Sequence, residues 1–150
     1  MTEADTIWVG TWASTPAPVE DLKLDDQTLR MITHISIGGS LLRVRLSNAY
    51  GHNKLRIGGA HIAIRDTESK IMPSTDRTLT FNGSESTTIA TGAIAISDPI
   101  DLNVAPNSDL AISVYLPESL LETFQITGHG TGRQTNYLSP AGNFVAETEF

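Results

Sequence analysis

Residues 128–137 read GHGTGRQTNY and combine three glycines with side chains that could bind an anion or serve catalysis. His129 is a candidate base, Arg133 a candidate anion ligand, and Asn136 and Tyr137 can form hydrogen bonds. A phosphate cradle would need a lysine at a fixed spacing and a following helix, and neither is present. We therefore interpret the stretch as a loop that leads into a strand, with ligand or partner contact by His129 and Arg133 as the functional alternative.

Nucleophilic catalysis needs a nucleophile activated by a base, usually a serine on a sharp turn with a histidine and a carboxylate in reach. The sequence has no cysteine, no G-x-S-x-G and no G-D-S block, and its histidines at 34, 52, 61 and 129 lie in different predicted elements. No two histidines have metal-ligand spacing on a helix. We therefore predict that this chain alone is catalytically inactive, and we expect no metal and no cofactor.

The aromatic residues offer a binding hypothesis. The segment IWVGTWA places Trp8, Gly10 and Trp12 on one face of a predicted strand. A glycine between two tryptophans leaves a flat notch on which a sugar ring could stack, and Tyr50 and Tyr137 could add to such a platform. Large aromatic side chains usually bury most of their area, which favours core or interface positions for both tryptophans. Glycan binding remains the alternative.

The charge balance bears on partners. Ten Lys and Arg against seventeen Asp and Glu give a net charge of -7, so the average field repels nucleic acid and anionic lipid, and we expect no nucleic-acid partner. Arg43 and Arg45 alternate with apolar residues and should face outward, with Arg30 and Arg56 across the sheet. Such a basic stripe could meet an acidic partner, although exposed arginines are usually solvated or paired.

The elements that must position these residues are short strands. Apolar residues recur with a period of two between clusters of Gly, Pro, Asn, Asp and Ser. Residues 28–37 and 41–47 are predicted to form a hairpin around the GGS turn at 38–40. The inward side chains expected on its two strands are Leu29, Met31, Ile35 and Ile37, then Leu42, Val44 and Leu46.

The rest of the chain continues this pattern. Residues 54–66 are predicted as one strand that bends at Gly58 and Gly59, and 15–26 as a surface connection. Residues 117–124 fit a short helix or a loop. With the further strands, about ten to twelve are predicted, which favours an all-β sandwich or barrel. These further strands are 78–83, 87–91, 93–102, 109–117, whose Leu110, Ile112, Val114 and Leu116 share one side, 123–127 and 134–139.

Length and composition predict a single domain over residues 1–150. Hydrophobic residues make up 39% of the chain, which is enough for a packed core and argues against disorder. No stretch approaches the roughly eighteen apolar residues of a membrane span. The start, MTEADTIWVG, lacks the basic and apolar regions of a secretory signal. A signal removed earlier would leave the same sequence, so a secreted origin and an unexported one stay open.

Six sequence blocks occur in a distinctive order: WVGTWASTP (8–16), TLRMITHISIGGSLLRVRLSNAYG (28–51), LRIGGAHIAI (55–64), STDRTLTFNG (74–83), ISDPIDLNVAPNSDLAISVYLP (96–117) and QTNYLS (134–139). Together they resemble the N-terminal region of two-domain SGNH (GDSL-type) ester hydrolases. The resemblance extends from about Trp8 to Asn143, and its specificity lies in the order of the blocks.

The resemblance implies a β-sandwich of jelly-roll character that packs on a downstream hydrolase domain and supports it. In that family the G-D-S nucleophile block, the oxyanion Gly and Asn, and the Asp-x-x-His pair follow this region, so no family catalytic residue matches a position here. Asn48 and Asn136 lie in the wrong blocks for an oxyanion role. A domain separated from its partner should expose an apolar patch and self-associate. The residues predicted to contact a ligand or partner are Trp8, Trp12, Arg43, Arg45, Asn48, Tyr50, His129, Arg133, Asn136 and Tyr137.

Overall fold

The computed structural model describes residues 6–122 and 125–150, and these residues form an all-β protein, as predicted. Fourteen strands occur within them, and every pairing is antiparallel. The strands are β1 Ala17–Glu20, β2 Gln27–His34, β3 Gly39–Leu42, β4 Arg45–Ser47, β5 Leu55–Ile57, β6 Gly59–Thr67, β7 Lys70–Ile71, β8 Arg77–Thr78, β9 Thr87–Ile89, β10 Ile94–Ile96, β11 Ile100–Val104, β12 Asp109–Leu116, β13 Gln125–Gly128 and β14 Tyr137–Ala141.

A six-stranded sheet has the order β14-β2-β12-β6-β7, with β8 also paired to β6. β12 is central in this sheet and pairs with β2 along its whole length. Buried side chains on both of its faces fit this central position. Leu110, Val114 and Leu116 face the main core, and Ala111 and Ser113 face the opposite side. The predicted inward face of 109–117 is thereby confirmed.

The second layer consists of the pairs β3-β11, β4-β10 and β5-β9, and β1 pairs with β13. The main core contains side chains from both layers, such as Ile62 of β6 and Leu102 of β11, so the two layers pack against each other as in a sandwich. A smaller cluster on the other face of the large sheet contains Ile32, Ala63 and Ala111. The large sheet is therefore buried on both faces at its centre.

The hairpin predicted around the GGS stretch is wrong. β2 pairs with β12 and β14, whereas β3 pairs with β11 in the other layer. The backbone at Gly38 passes so close to the backbone of Val104 that only glycine fits. A Cβ at this position would lie 2.4 Å from the carbonyl oxygen of Val104. The chain crosses between layers here, and the expected inward residue Ile37 is half exposed as a result.

Three predicted strands each divide into two, which raises the count above twelve. Residues 41–47 are split between β3 and β4, 54–66 between β5 and β6, and 93–102 between β10 and β11. The bend predicted at Gly58 is confirmed, since β5 pairs with β9 and β6 with β12. A Cβ at Gly58 would lie 2.8 Å from the ring of Tyr115, so the close approach favours glycine at this corner.

Three other predicted elements differ. Residues 7–13 form no strand, so Trp8 and Trp12 do not share a strand face. The predicted connection at 15–26 includes β1, because Ala17–Glu20 finds a partner in β13. Of residues 78–83, predicted as one strand, only Thr78 lies in a strand, β8. Residues 117–122 form the loop that was the alternative to a short helix, and 123–124 lie outside the described residues.

Candidate functional site

A row of polar side chains crosses the large sheet on the face away from the main core. The strand register places Arg30 opposite Ser113, Ser113 opposite His61, and His61 opposite Thr78. Directly opposite residues of antiparallel strands share a face and lie close together. The strands β2, β12, β6 and β8 thus bring these four side chains into one line.

His61 uses its two ring nitrogens to link Thr78 of this row to Asp76, which precedes β8. Its Nδ1 lies 2.8 Å from Oδ2 and 3.1 Å from Oδ1 of Asp76, and its Nε2 lies 3.3 Å from Oγ1 of Thr78. A carboxylate only accepts hydrogen bonds, so neutral His61 carries its proton on Nδ1 and the Thr78 hydroxyl donates to Nε2. The result is a hydroxyl, an imidazole and a carboxylate in hydrogen-bonded sequence, which is the arrangement of a nucleophile, its base and an orienting acid.

The segment before β8 fixes the position of Asp76. A 3₁₀ turn at Pro73–Thr75 precedes it, and the amide of Asp76 donates to Pro73 O. Thr75 Oγ1 accepts from the amide of Ile64 on β6 at 2.9 Å, and Arg77 donates to the carbonyl of Asp76 at 2.8 Å. Side-chain exposure is 16% for His61 and 20% for Asp76, whereas Thr78 is exposed. Solvent therefore reaches the hydroxyl while the two groups behind it are held in place.

Arg30 is fully buried at the other end of the row, which makes its predicted place in an outward basic stripe wrong. Its Nε donates to Ser113 Oγ at 2.8 Å, and its terminal nitrogens donate to the carbonyls of Ser69, Glu147 and Thr148. Burial lowers the pKa of Arg30, while the charges of Asp76 and Glu147 oppose that shift. The acceptors explain the burial, because a guanidinium can leave water when its donors are satisfied.

The polar row was missed from the sequence. Asp76 and Thr78 are two residues apart, a spacing that puts them on one face of an extended segment. That spacing was an available signal for Asp76 and Thr78. His61 comes beside them only because β8 pairs with β6, and strand pairing cannot be read from the local sequence.

A second group of side chains lies on the side of the second layer that faces away from the main core. Leu41 and Arg45 are exposed and Arg43 is half-buried, while the inward residues Leu42, Val44 and Leu46 pack in the core as predicted. The guanidinium carbon of Arg43 lies 4.2 Å from the centre of the Trp8 ring, a cation–π contact. Arg45 is directly opposite Ile96 on β10. We call this surface the outer face, and its members are Trp8, Leu41, Arg43, Arg45, Ile94 and Ile96.

The glycine-rich stretch is a loop that leads into β14, as predicted. It contains a 3₁₀ turn at Gly130–Gly132 and a left-handed backbone at Arg133, whose side chain is exposed. His129 Nδ1 lies 3.1 Å from Ser14 O, and its ring meets the ring of Trp12 edge-on at 5.9 Å. Trp12 itself packs against the main core. The predicted contact residues Trp12 and His129 thus touch each other. Their contact holds the loop against the N-terminal segment.

The remaining predicted contact residues lie in two separate places, Asn48 and Tyr50 in one turn and Asn136 and Tyr137 at β14. Asn48 is buried and its amide donates to the carbonyls of Asn53, Ile89 and Ala90, so it holds a turn together. Tyr50 is exposed beside β13, where its carbonyl accepts from Gln125 at 2.6 Å.

Two predicted contact residues flank the start of β14. Asn136 Oδ1 accepts from the amide of Ile32, and Tyr137 packs against the smaller cluster. The four aromatic residues proposed for sugar stacking therefore occupy separate environments.

Two aspartates outside these assemblies have shifted acidities. Hydrogen bonding to His34 lowers the pKa of Asp109, and Arg65 adds to the shift. The hydroxyl of Thr80 and the amides of Gly83 and Asn82 lower the pKa of Asp98, whose carboxylate closes the turn at 81–84. Both are fold-stabilising arrangements of a common kind.

Over residues 6–122 and 125–150, no group of three or more His, Cys, Asp and Glu side chains is placed to hold a metal ion. The same ranges contain no helix of the length and apolarity that crossing a membrane requires. Comparison with known proteins finds no matching family model and no matching curated protein.

Proposed function

We propose that this chain is a non-catalytic β-sandwich domain that packs on an SGNH (GDSL-type) ester hydrolase domain and supports it. The ordered sequence blocks motivate the proposal, and the all-β fold with two packed layers is compatible with it. A supporting role needs a surface that a partner can cover.

The outer face is the observation that carries the proposal. Ile94 and Ile96 are 48% and 51% exposed, and Leu41 is 39% exposed. Large apolar side chains are costly to hydrate when several lie together on one exposed face of a sheet. Such patches commonly mark interaction sites. Arg45 beside Ile96 gives the patch a basic group on an otherwise acidic chain. We infer a partner surface that is apolar at its centre and carries carboxylates at its rim.

The first test is turnover of p-nitrophenyl butyrate. We expect no multiple turnover by residues 1–150, and turnover by a longer expression product that includes the gene segment after residue 150. Sustained hydrolysis by the 150-residue chain would contradict a non-catalytic role.

The second test addresses the outer face in the longer product. Ile96→Asp should lower the midpoint of thermal inactivation, because a carboxylate would be buried against the partner. Leu138→Asp is the matched control, since Leu138 on β14 is 46% exposed but lies on the other sheet. Equal effects of the two substitutions would place the contact elsewhere.

Glycan binding is the second candidate, and Trp8 favours it. Trp8 is 37% exposed as a residue, and its ring is backed by the guanidinium of Arg43, which supports it as a stacking surface. Trp8→Ala should abolish binding in a titration against a panel of polysaccharides. Trp12 is a poor test residue because it packs against the core. Binding that survives Trp8→Ala, or no binding by the unmodified chain, would remove this candidate.

A further inference from the structure

We propose that Thr78 is an acyl-accepting nucleophile, activated by His61 and Asp76, that takes short acyl groups from activated esters. The proposal does not depend on docking to a hydrolase domain. It rests on the hydrogen-bonded sequence of hydroxyl, imidazole and carboxylate across β8 and β6.

The geometry favours the tautomer of neutral His61 that a base at this position requires. Nδ1–H of His61 donates a hydrogen bond to Asp76, which leaves the Nε2 lone pair facing the Thr78 hydroxyl at 3.3 Å. Catalytic hydrogen bonds are often this long before a substrate is bound and shorten in the reacting complex. The exposed position of Thr78 lets an ester carbonyl approach the oxygen from solvent.

The reaction proceeds by acyl transfer. Oγ1 of Thr78 attacks the ester carbonyl carbon as its proton moves to Nε2 of His61, and a bond forms between Oγ1 and that carbon. The bond from the carbon to the leaving oxygen then breaks. With p-nitrophenyl acetate the leaving group departs as p-nitrophenolate, and the proton on His61 returns to solvent. The products are O-acetyl-Thr78 and one equivalent of p-nitrophenolate.

The assignment includes a nucleophile, a base and the carboxylate that orients the base, and it includes no donor for the oxyanion. Donors of that kind contribute about 10²- to 10³-fold to acyl transfer. We therefore expect slow acylation limited to one equivalent per chain, with an acyl-threonine that persists through the assay. This outcome is compatible with a chain that shows no multiple turnover.

The experiment treats the full chain with p-nitrophenyl acetate and locates the adduct by peptide mass spectrometry. We expect one acetyl group on Thr78, at least tenfold slower acetylation in His61→Gln and Asp76→Asn, and none at this position in Thr78→Val. Thr78→Ser should react faster than the unmodified chain, because a primary hydroxyl is less hindered. Circular dichroism of each variant separates loss of reactivity from loss of folding.

The chain offers a matched control. His34 also contacts an aspartate, with its Nδ1 2.7 Å from Asp109, and within residues 6–122 and 125–150 the hydrogen bonds of this pair include no threonine or serine hydroxyl. His34→Gln should leave acetylation of Thr78 unchanged. The proposal is overturned if Thr78 is not acetylated, if its acetylation is the same in folded His61→Gln, or if the imidazoles of His34 and His61 are the groups that react.

Discussion

Arg30 illustrates at the residue scale how a charged side chain can be part of a core. Its type and position in a strand predicted an outward, solvated group, but all of its surface is buried and four acceptors surround it. Three of those acceptors are backbone carbonyls at Ser69, Glu147 and Thr148, which no local pattern around residue 30 could reveal. Sequence reasoning identifies a side chain's chemistry, whereas its partners come from distant parts of the chain.

Replacing Arg30 by Met should destabilise the protein by about 3 kcal/mol, because several buried acceptors would lose their donors. Arg77→Met is the control, since Arg77 also donates to backbone carbonyls but is exposed, and should change stability by less than about 1 kcal/mol. Urea unfolding of both variants measures the difference. Equal small losses would show that the buried guanidinium contributes little.

Asp109 should make stability depend on pH. Its pKa is lowered by His34 and Arg65, so its contribution is present above the unfolded-state pKa and is lost as the pH falls through the folded-state value. Asp109→Asn should therefore cost about 0.5–1 kcal/mol at pH 7, with the difference from the unmodified chain shrinking below about pH 4. Thermal unfolding across pH measures it. Asp66→Asn is the control, because Asp66 also pairs with a cation, Lys70 at 3.6 Å, but both side chains are exposed and the pair should contribute little. A similar pH-dependent loss in Asp66→Asn would contradict the role of Asp109.

At the scale of elements, the alternating runs predicted strand identity well and strand partners poorly. Residues 109–117 became β12 with the expected inward face, whereas the predicted hairpin partners β2 and β3 belong to different layers. Alternation depends on burial of one face and is visible locally. Pairing is decided by which distant strand completes the hydrogen bonds, and a Gly-Gly stretch fits a turn and a close crossing equally well.

Substitutions of Gly38 and Gly39 distinguish a close crossing of the chain from a tight turn. Gly38→Ala should destabilise the protein by about 2 kcal/mol, because the added Cβ would collide with the backbone of residues 104–106, which has little freedom to move. Gly39→Ala should change stability by less than about 0.5 kcal/mol, since its Cβ would meet no atom within 4 Å. Chemical denaturation of the two neighbours gives a direct comparison, and a tight turn at 38–40 would instead make both substitutions costly.

At the scale of the whole molecule, the fold class followed from the sequence while the site did not. The all-β architecture needed only repeated short apolar runs and turn residues. The polar row needed four strands to be placed side by side, and the outer face needed the knowledge of which strands lie at the surface. His61 and Asp76 are 15 positions apart, and Arg30 and Glu147 are 117 apart, so their association is a property of the folded chain.

The isolated chain should self-associate through the outer face. Burial of Ile94 and Ile96 against a second copy would remove apolar surface from water, so the weight-average mass should rise with concentration in sedimentation equilibrium. Ile96→Asp should keep the chain monomeric at concentrations where Leu138→Asp still associates. A chain that stays monomeric without any substitution, or Leu138→Asp acting as strongly as Ile96→Asp, would argue against this face.

The enclosure of Arg30 also affects the order of events during synthesis. The carbonyls of Glu147 and Thr148 that accept from it are made more than a hundred residues after the arginine itself. Until those residues leave the ribosome, the guanidinium keeps its hydration, and the back of the large sheet cannot close over it. Completion of the fold is thus coupled to translation of this late segment, and a released chain truncated after residue 144 should be more sensitive to proteases than the 150-residue chain.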